Sequence, residues 1–199
     1  MVNEIIYENK FPREPNKKIS ANQFIEFMEN RQELERYELI NGKIYMMASA
    51  NVGHQDILLF LGRKLGNYLE GKKCRAFVAA LDVVLFEKKK EDKDKSQNVV
   101  QPDVFVVCDP DKIKKDRIYG APDLIIEVVS PSNEAHDYFR KYELYKKYGV
   151  REYWIVNPES GKIFAHTDGL KEVAEYSFDD KIKVGIFDEE DFYIDFKEL

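Results

Sequence analysis

The sequence predicts an α/β (α+β) fold, a mixed sheet flanked by helices, and three observations carry that prediction. Three apolar, strand-like runs follow one another, Cys74 to Lys89, Val99 to Cys108 and Leu124 to Val129, on connections too polar for a helix between them. A long amphipathic helical stretch, Ser132 to Gly149, then separates the third run from a fourth, "VREYWIVNP". Consecutive strands without a helical crossover pair antiparallel as a meander, whereas a helical crossover sets its two strands parallel. The core order is therefore αβββαβ, with a helix and hairpin before it and a strand extension after it.

The elements follow in order from local chemistry. "ISANQFIEFMEN" opens with Ser20 and Gln23 in capping-box spacing, flanked by Ile19 and Phe24 as a hydrophobic staple, so a short helix starts there. "RYELINGKIYMM" is a hairpin around Asn41-Gly42, a type I′ turn pair. In that register Glu38 pairs with Tyr45 and faces away from Leu39 and Ile44. "HQDILLFLGRKLGNYLE" sets Ile57, Leu58, Leu61, Leu65 and Tyr68 on one helical face. "CRAFVAALDVVLFEKK" reads as one long strand and "VVQPDVFVVC" as a second, with Pro102 fitting only near a strand start or an edge. Between them "KKKEDKDKSQN" is a mixed-charge loop. Gly149 is placed to close the second long helix. From Gly161 on the chain reads as hairpins, with Asp168-Gly169 as one turn.

The 199 residues suit one domain over 1–199, with a core of about 20–158 and a hairpin extension of about 159–199. At 44% hydrophobic and 34% charged residues, the chain can bury a full core and keep a solvated surface. The net charge of −6 argues against a sequence-blind coat for nucleic acid, which needs a basic excess. An acidic enzyme acting on nucleic acid through a divalent cation stays open. Cys74 and Cys108 are the only cysteines, too few for a disulfide framework or a thiolate zinc site, and read as reduced core thiols of a cytoplasmic protein. No apolar run approaches a membrane span.

Within "APDLIIEVVSPS", Glu127 interrupts a strand that otherwise reads as buried on both faces. A carboxylate there costs several kcal/mol, on the order of a whole protein's margin, unless it is paired, protonated or bound to metal. Two Pro-Asp pairs offer a partner acid. Asp123 stands four residues from Glu127 on the same strand, about 13 Å at ~3.3 Å per residue, too far to share one ion. Asp103 lies on the neighbouring strand of the meander, about 4.8 Å away laterally if the register is right. Asp103 with Glu127 is the better pair, although Asp103 also suits a turn after proline.

On these residues the sequence resembles a known family. The strand order, with "YELINGKIYMM", "QPDVFVV", "PDLIIEVVSPS" and "KYELYKKYGVREYWIVNP", is similar to the Uma-type restriction endonucleases of the PD-(D/E)xK nuclease superfamily. The resemblance runs from about Ser20 to Pro158. It implies a restriction-endonuclease-like fold, Mg²⁺ (with Mn²⁺ as substitute) held by Asp103 and Glu127, Glu38 as a further acid, and double-stranded DNA as substrate. By the same analogy it implies a homodimer. The lysine that the superfamily places two residues after the glutamate is Val129 here. On the next helix Lys141 falls inside an apolar arc of Ala135, Tyr138, Phe139, Tyr142, Leu144, Tyr145 and Tyr148, with Asp137 beside it, so the ammonium is expected to have migrated to Lys141. His54, on the apolar face of its helix, takes either a core or capping place or a secondary place in the site. Asp82 interrupts an alternating apolar face and is a second candidate acid.

Such a site would hydrolyse a phosphodiester: a metal-bound water as nucleophile, charge relief on the phosphoryl oxygens, and a lysine against the developing charge. Two other readings stay open at this point: a catalytically silent binding module, favoured by Val129, and a metal-dependent hydrolase acting on something other than nucleic acid.

Overall fold

The computed structural model describes residues 18–30, 35–47, 49–87, 92–129, 136–187 and 191–199, with the side chains of the third helix from Phe139 onward. Helix α1 (Ala21–Glu29) starts from Ser20, whose hydroxyl accepts the Gln23 N–H while the Gln23 side chain accepts the Ser20 N–H. Strands β1 (Tyr37–Ile40) and β2 (Lys43–Met46) form the expected hairpin, with Glu38 opposite Tyr45. Both turn residues have positive φ, 51° at Asn41 and 78° at Gly42, as a type I′ turn requires. A Cβ on Gly42 would stand 2.7 Å from Lys18 Cβ. Gly42→Ala should therefore cost about 1–3 kcal/mol, strain and clash together, measurable as a lower urea midpoint.

Helix α2 (Val52–Leu69) follows, capped by Asn51. The chain then runs through β3 (Arg75–Val78), β4 (Val83–Val84), β5 (Val99–Val100), β6 (Val104–Val107), β7 (Ile118–Tyr119) and β8 (Leu124–Val128). After α3 (His136–Tyr148) come β9 (Glu152–Asn157), β10 (Lys162–Thr167), β11 (Glu172–Ser177), β12 (Lys181–Lys183) and β13 (Tyr193–Asp195).

The architecture is α+β, with the meander and crossover in the expected places. Strands β3, β6 and β8 pair antiparallel in that order, and β9 returns parallel to β8 across α3. Two expectations are corrected. The strands divide between two main sheets, ordered β2-β1-β5-β4-β7 and β11-β10-β9-β8-β6-β3, with β12-β13 as a separate pair. Each of the two long strands is also split between those sheets. Ala79 N–H donates to Asp103 C=O, still on the six-stranded sheet, whereas Asp82 C=O accepts the Ile118 N–H of the five-stranded one. Pro102 sits at the matching joint between β5 and β6, where its missing N–H interrupts no ladder.

One face of the six-stranded sheet buries Val104, Val106, Leu124, Ile126 and Val128 against Ile57, Leu58, Leu61 and Leu65 of α2. Ile182 of β12, Ile194 of β13 and Phe196 just after it close the same cluster. The other face sets Phe105, Val107, Ile125 and Ile155 against Leu144 and Tyr145 of α3 and Ile40, Val83 and Val100 of the five-stranded sheet. Each fully buried Leu or Ile contributes roughly 1.5–3 kcal/mol of transfer free energy, so these two faces set where the helices dock. On α3 the buried face is Lys141, Leu144 and Tyr145. Phe139, expected on the apolar arc, is 69% exposed, since it lies two residues, some 200°, round the helix from Lys141.

Cys74 and Cys108, expected as reduced thiols, are bonded to each other. Arg75 pairs with Val107, so the next step along that antiparallel ladder sets the cysteines face to face. No count of cysteines reveals such a register. Among the described residues no helix is long and apolar enough to cross a membrane.

Glu152 ties the C-terminal segment to the sheet. Its carboxylate accepts Trp154 Nε1–H at 2.7 Å and Ile186 N–H at 2.9 Å, and the residue is buried. Burial pushes its pKa up to about 7, with the hydrogen bonds from Trp154, Ile186 and Gly185 and the charge of Arg151 opposing. A folded pKa above the unfolded value means that this stability is complete below pH ~4.5 and is lost as pH rises through 7. The loss is on the order of 3 kcal/mol between pH 5 and 8. Glu152→Gln should flatten that slope in urea titrations, while starting lower at pH 5 because one amide oxygen cannot accept both donors.

Candidate functional site

The site forms where the two sheets meet. Val104 pairs with Ile126, and continuing that register by one residue sets Asp103 opposite Glu127. Two residues of one antiparallel pair point to the same face, so the cross-strand carboxylate pair expected from the meander is present. Glu38 arrives from the other sheet, on β1, and Lys141 from α3. All four are buried, at 6% exposure for Asp103, 7% for Glu127, 4% for Glu38 and 7% for Lys141.

Lys141 joins the two sheets. Its Nζ lies 3.0 Å from Glu127 Oε1 and 3.2 Å from Glu38 Oε1. Glu127 Oε1 also accepts the Tyr145 hydroxyl at 2.7 Å, one helical turn beyond Lys141. The Gln101 backbone N–H donates to Glu38 Oε1 at 2.9 Å. The Arg140 guanidinium stacks 4.2 Å over the Tyr45 ring, which seats the start of α3 on the hairpin that carries Glu38.

Asp103 has a different environment. Its Oδ2 accepts the Val128 N–H at 2.9 Å and lies 3.2 Å from His54 Nε2. His54 thus belongs to the acid cluster. Asp82 does not touch it directly: its Oδ1 accepts Gln101 Nε2 at 2.9 Å, one residue removed from Glu38. The Asp137 side chain lies outside the described residues. Asp123 stands apart, as its distance along the strand requires, accepting the Cys108 N–H at 2.8 Å and pairing with Arg151 at 3.5 Å.

The electrostatics follow from this crowding. Burial pushes the Glu127 pKa up to about 8, with Asp103 and Glu38 adding to the rise and Lys141 and the Tyr145 hydroxyl opposing it. The Tyr145 hydroxyl is in turn pushed well above its usual range by burial and by Glu127. Without a further cation, burial and the neighbouring acids disfavour the charged form of Glu127. Among the described residues no three His, Cys, Asp or Glu side chains are grouped closely enough to enclose an ion unaided.

Reading the sequence did not find Gln101. Its contribution is a backbone N–H on Glu38 and an amide on Asp82, and neither leaves a trace in residue type. Tyr145 was legible only as an amphipathic side chain whose hydroxyl suits a polar edge.

Comparison with other proteins bears on the fold and the family. The chain is 28% identical over 177 residues to an uncharacterized protein of Synechocystis, covering 87% of this chain and 88% of the relative. Its fold matches the crystal structure of a protein from Anabaena variabilis described as "a putative nuclease", with a TM-score of 0.70 and 19% identity over 87% of this chain and 94% of that one. The model of one family matches residues 21–186, which include the two main sheets, α1 to α3 and Glu38, Asp103 and Glu127. The chain belongs to that family, Uma2, described as "Putative restriction endonuclease".

Proposed function

We propose that the protein is a metal-dependent endonuclease that hydrolyses phosphodiesters of double-stranded DNA. The observation that carries this reading is the cross-strand pair of Asp103 and Glu127 with the Lys141 ammonium 3.0 Å from Glu127. The residues fit Mg²⁺ or Mn²⁺ by their donor chemistry. Mg²⁺ takes one or two carboxylates from a protein and keeps several waters, so a pair suffices where an enclosing cage would not. Asp103 and Glu127 would hold the ion, with Glu38 completing the shell directly or through water.

A bound divalent cation lowers the pKa of its water and neutralises phosphoryl charge. The chain's own residues supply the rest. Lys141, fixed between Glu127 and Glu38, presents positive charge where negative charge develops on the phosphoryl oxygens. Tyr145 holds Glu127 against rotation, and the Gln101 N–H does the same for Glu38. Apolar walls from Ile125, Ile155 and Leu144 keep the local dielectric low, which strengthens each of these interactions.

Val129 in the place of a strand lysine favoured a silent binding module on sequence grounds. The Lys141 contact to Glu127 supports the active reading instead, because an ammonium reaches the carboxylate from the helix. Cutting both strands calls for two such sites, and we extend the reading to a symmetric pair of chains. A nucleic-acid substrate goes with a cytoplasmic setting.

The test is incubation of the purified chain with supercoiled plasmid in Mg²⁺, Mn²⁺ or EDTA. Nicked and linear products with metal alone are expected. Intact plasmid despite Mn²⁺ binding by calorimetry would sink the DNA assignment and favour a hydrolase with another substrate.

A further inference from the structure

His54 is unexplained by the mechanism above, and its surroundings are specific. It lies in the first turn of α2, where Asn51 Oδ1 accepts its backbone N–H at 2.8 Å, so the cap fixes where its side chain starts. The residue is 8% exposed. Its Nε2 is 3.2 Å from Asp103 Oδ2, while its buried Nδ1 has no hydrogen-bond partner among the described residues. An ordinary core histidine satisfies both nitrogens, because leaving one orphaned costs stability. This ring keeps one contact at the expense of the other.

The chemistry of that contact fixes its sense. A carboxylate oxygen facing a ring nitrogen acts as the acceptor, so Nε2 is the donor here and Nδ1 is left without a partner among the described residues. Asp103 Oδ2 then takes two donors, the His54 Nε2–H and the Val128 N–H. Oδ1 takes no hydrogen bond from any described residue. The two oxygens of one carboxylate are thereby given different work.

We propose that His54 is a positioning residue that, with the Val128 N–H, locks the Asp103 carboxylate by Oδ2 and leaves Oδ1 as the ligand oxygen for a divalent cation. The proposal rests on the reading of Asp103 as a metal ligand. Partners that orient a ligating group typically change metal affinity by about 10–100-fold when removed.

The experiment is Mn²⁺ titration by calorimetry on the full chain carrying His54→Leu, His54→Gln or Asp103→Ala, with thermal melts in metal-free buffer. His54→Leu should weaken Mn²⁺ binding by about 10–100-fold while melting no lower than wild type, since it removes an orphaned polar nitrogen. His54→Gln, whose amide nitrogen can donate to the same oxygen, should stay within about 3-fold of wild type. A role in packing alone would give the opposite ranking in the melts and no ranking in affinity. If Asp103→Ala binds Mn²⁺ like wild type, the parent reading fails. If Asp103→Ala loses binding and His54→Leu keeps it, the positioning role alone is overturned. Should His54→Leu fail to fold, ¹⁵N spectra of the wild-type imidazoles decide. A His54 ring protonated at Nε2, whose Nε2 resonance moves on adding MgCl₂, supports the proposal. A ring protonated only at Nδ1 overturns it.

Discussion

Asp103→Ala and Glu127→Ala are each expected to abolish measurable binding of Mn²⁺ and any plasmid cleavage. The two residues face each other one step beyond the last ladder pair of β6 and β8, so each variant removes half of that pair. Charge stabilisation by a bound cation is worth several kcal/mol, and losing about 4 kcal/mol slows the reaction roughly 10³-fold. Asp123→Ala is the control. Its carboxylate serves the Cys108 N–H and Arg151, so the variant should lose about 1–3 kcal/mol of stability and retain its affinity for Mn²⁺. Glu127→Gln adds a test of charge. With its pKa raised to about 8, Glu127 stabilises the metal-free fold below the unfolded value near 4.5 and loses that contribution as pH climbs through 8. The glutamine variant should therefore melt like wild type or higher at pH 7, and clearly higher at pH 9, in metal-free buffer. Unchanged calorimetric Mn²⁺ affinity in Glu127→Ala would remove the metal assignment altogether.

The second large effect is expected from Lys141. Its alanine variant should lose roughly 10²–10³-fold in cleavage rate, the usual scale for removing one charge from a transition-state site, while binding Mn²⁺ almost normally. The separation of the two readouts matters, because a lysine supplies charge to the reacting phosphoryl group and no ligand to the cation. Val129 lies two residues beyond Glu127, hence on the same face of the chain, and packs against the cluster that holds Ile125, Leu144 and Tyr145. Adding Val129→Lys to Lys141→Ala should restore part of the activity by returning an ammonium to the strand. Recovery stays incomplete, since a longer side chain overpacks that cluster at about 1–3 kcal/mol. Full cleavage by the Lys141→Ala variant would refute the migrated-lysine reading.

Features with a local chemical signature were legible in the sequence. Ser20 with Gln23 and Asn41 with Gly42 act within four residues, and the structure places both as expected. Glu127 was legible because a carboxylate in an apolar strand demands a partner, and Lys141 because it breaks the apolar arc of α3. The splitting of the long strands was not. Val83 and Val84 on one sheet are as apolar and as buried as Val104 and Val106 on the other, so hydrophobicity alone cannot tell which sheet a residue joins. The Cys74–Cys108 bond and the Gln101 N–H on Glu38 depend on register, which is set by the whole sheet. Phe139 shows the limit of a helical wheel: the arc's edges are decided by what packs there.

The meeting of two sheets at Lys141 bears on how such a protein is made. Glu38 leaves the ribosome first, Asp103 and Glu127 follow, and the lysine that binds Glu38 to Glu127 emerges last. A nascent chain interrupted before α3 has its acids and lacks its ammonium, and one whose five-stranded sheet has not closed has no Glu38 to hold that ammonium in place. On the reading proposed above, the site is complete only once α3 docks across the seam between the two sheets.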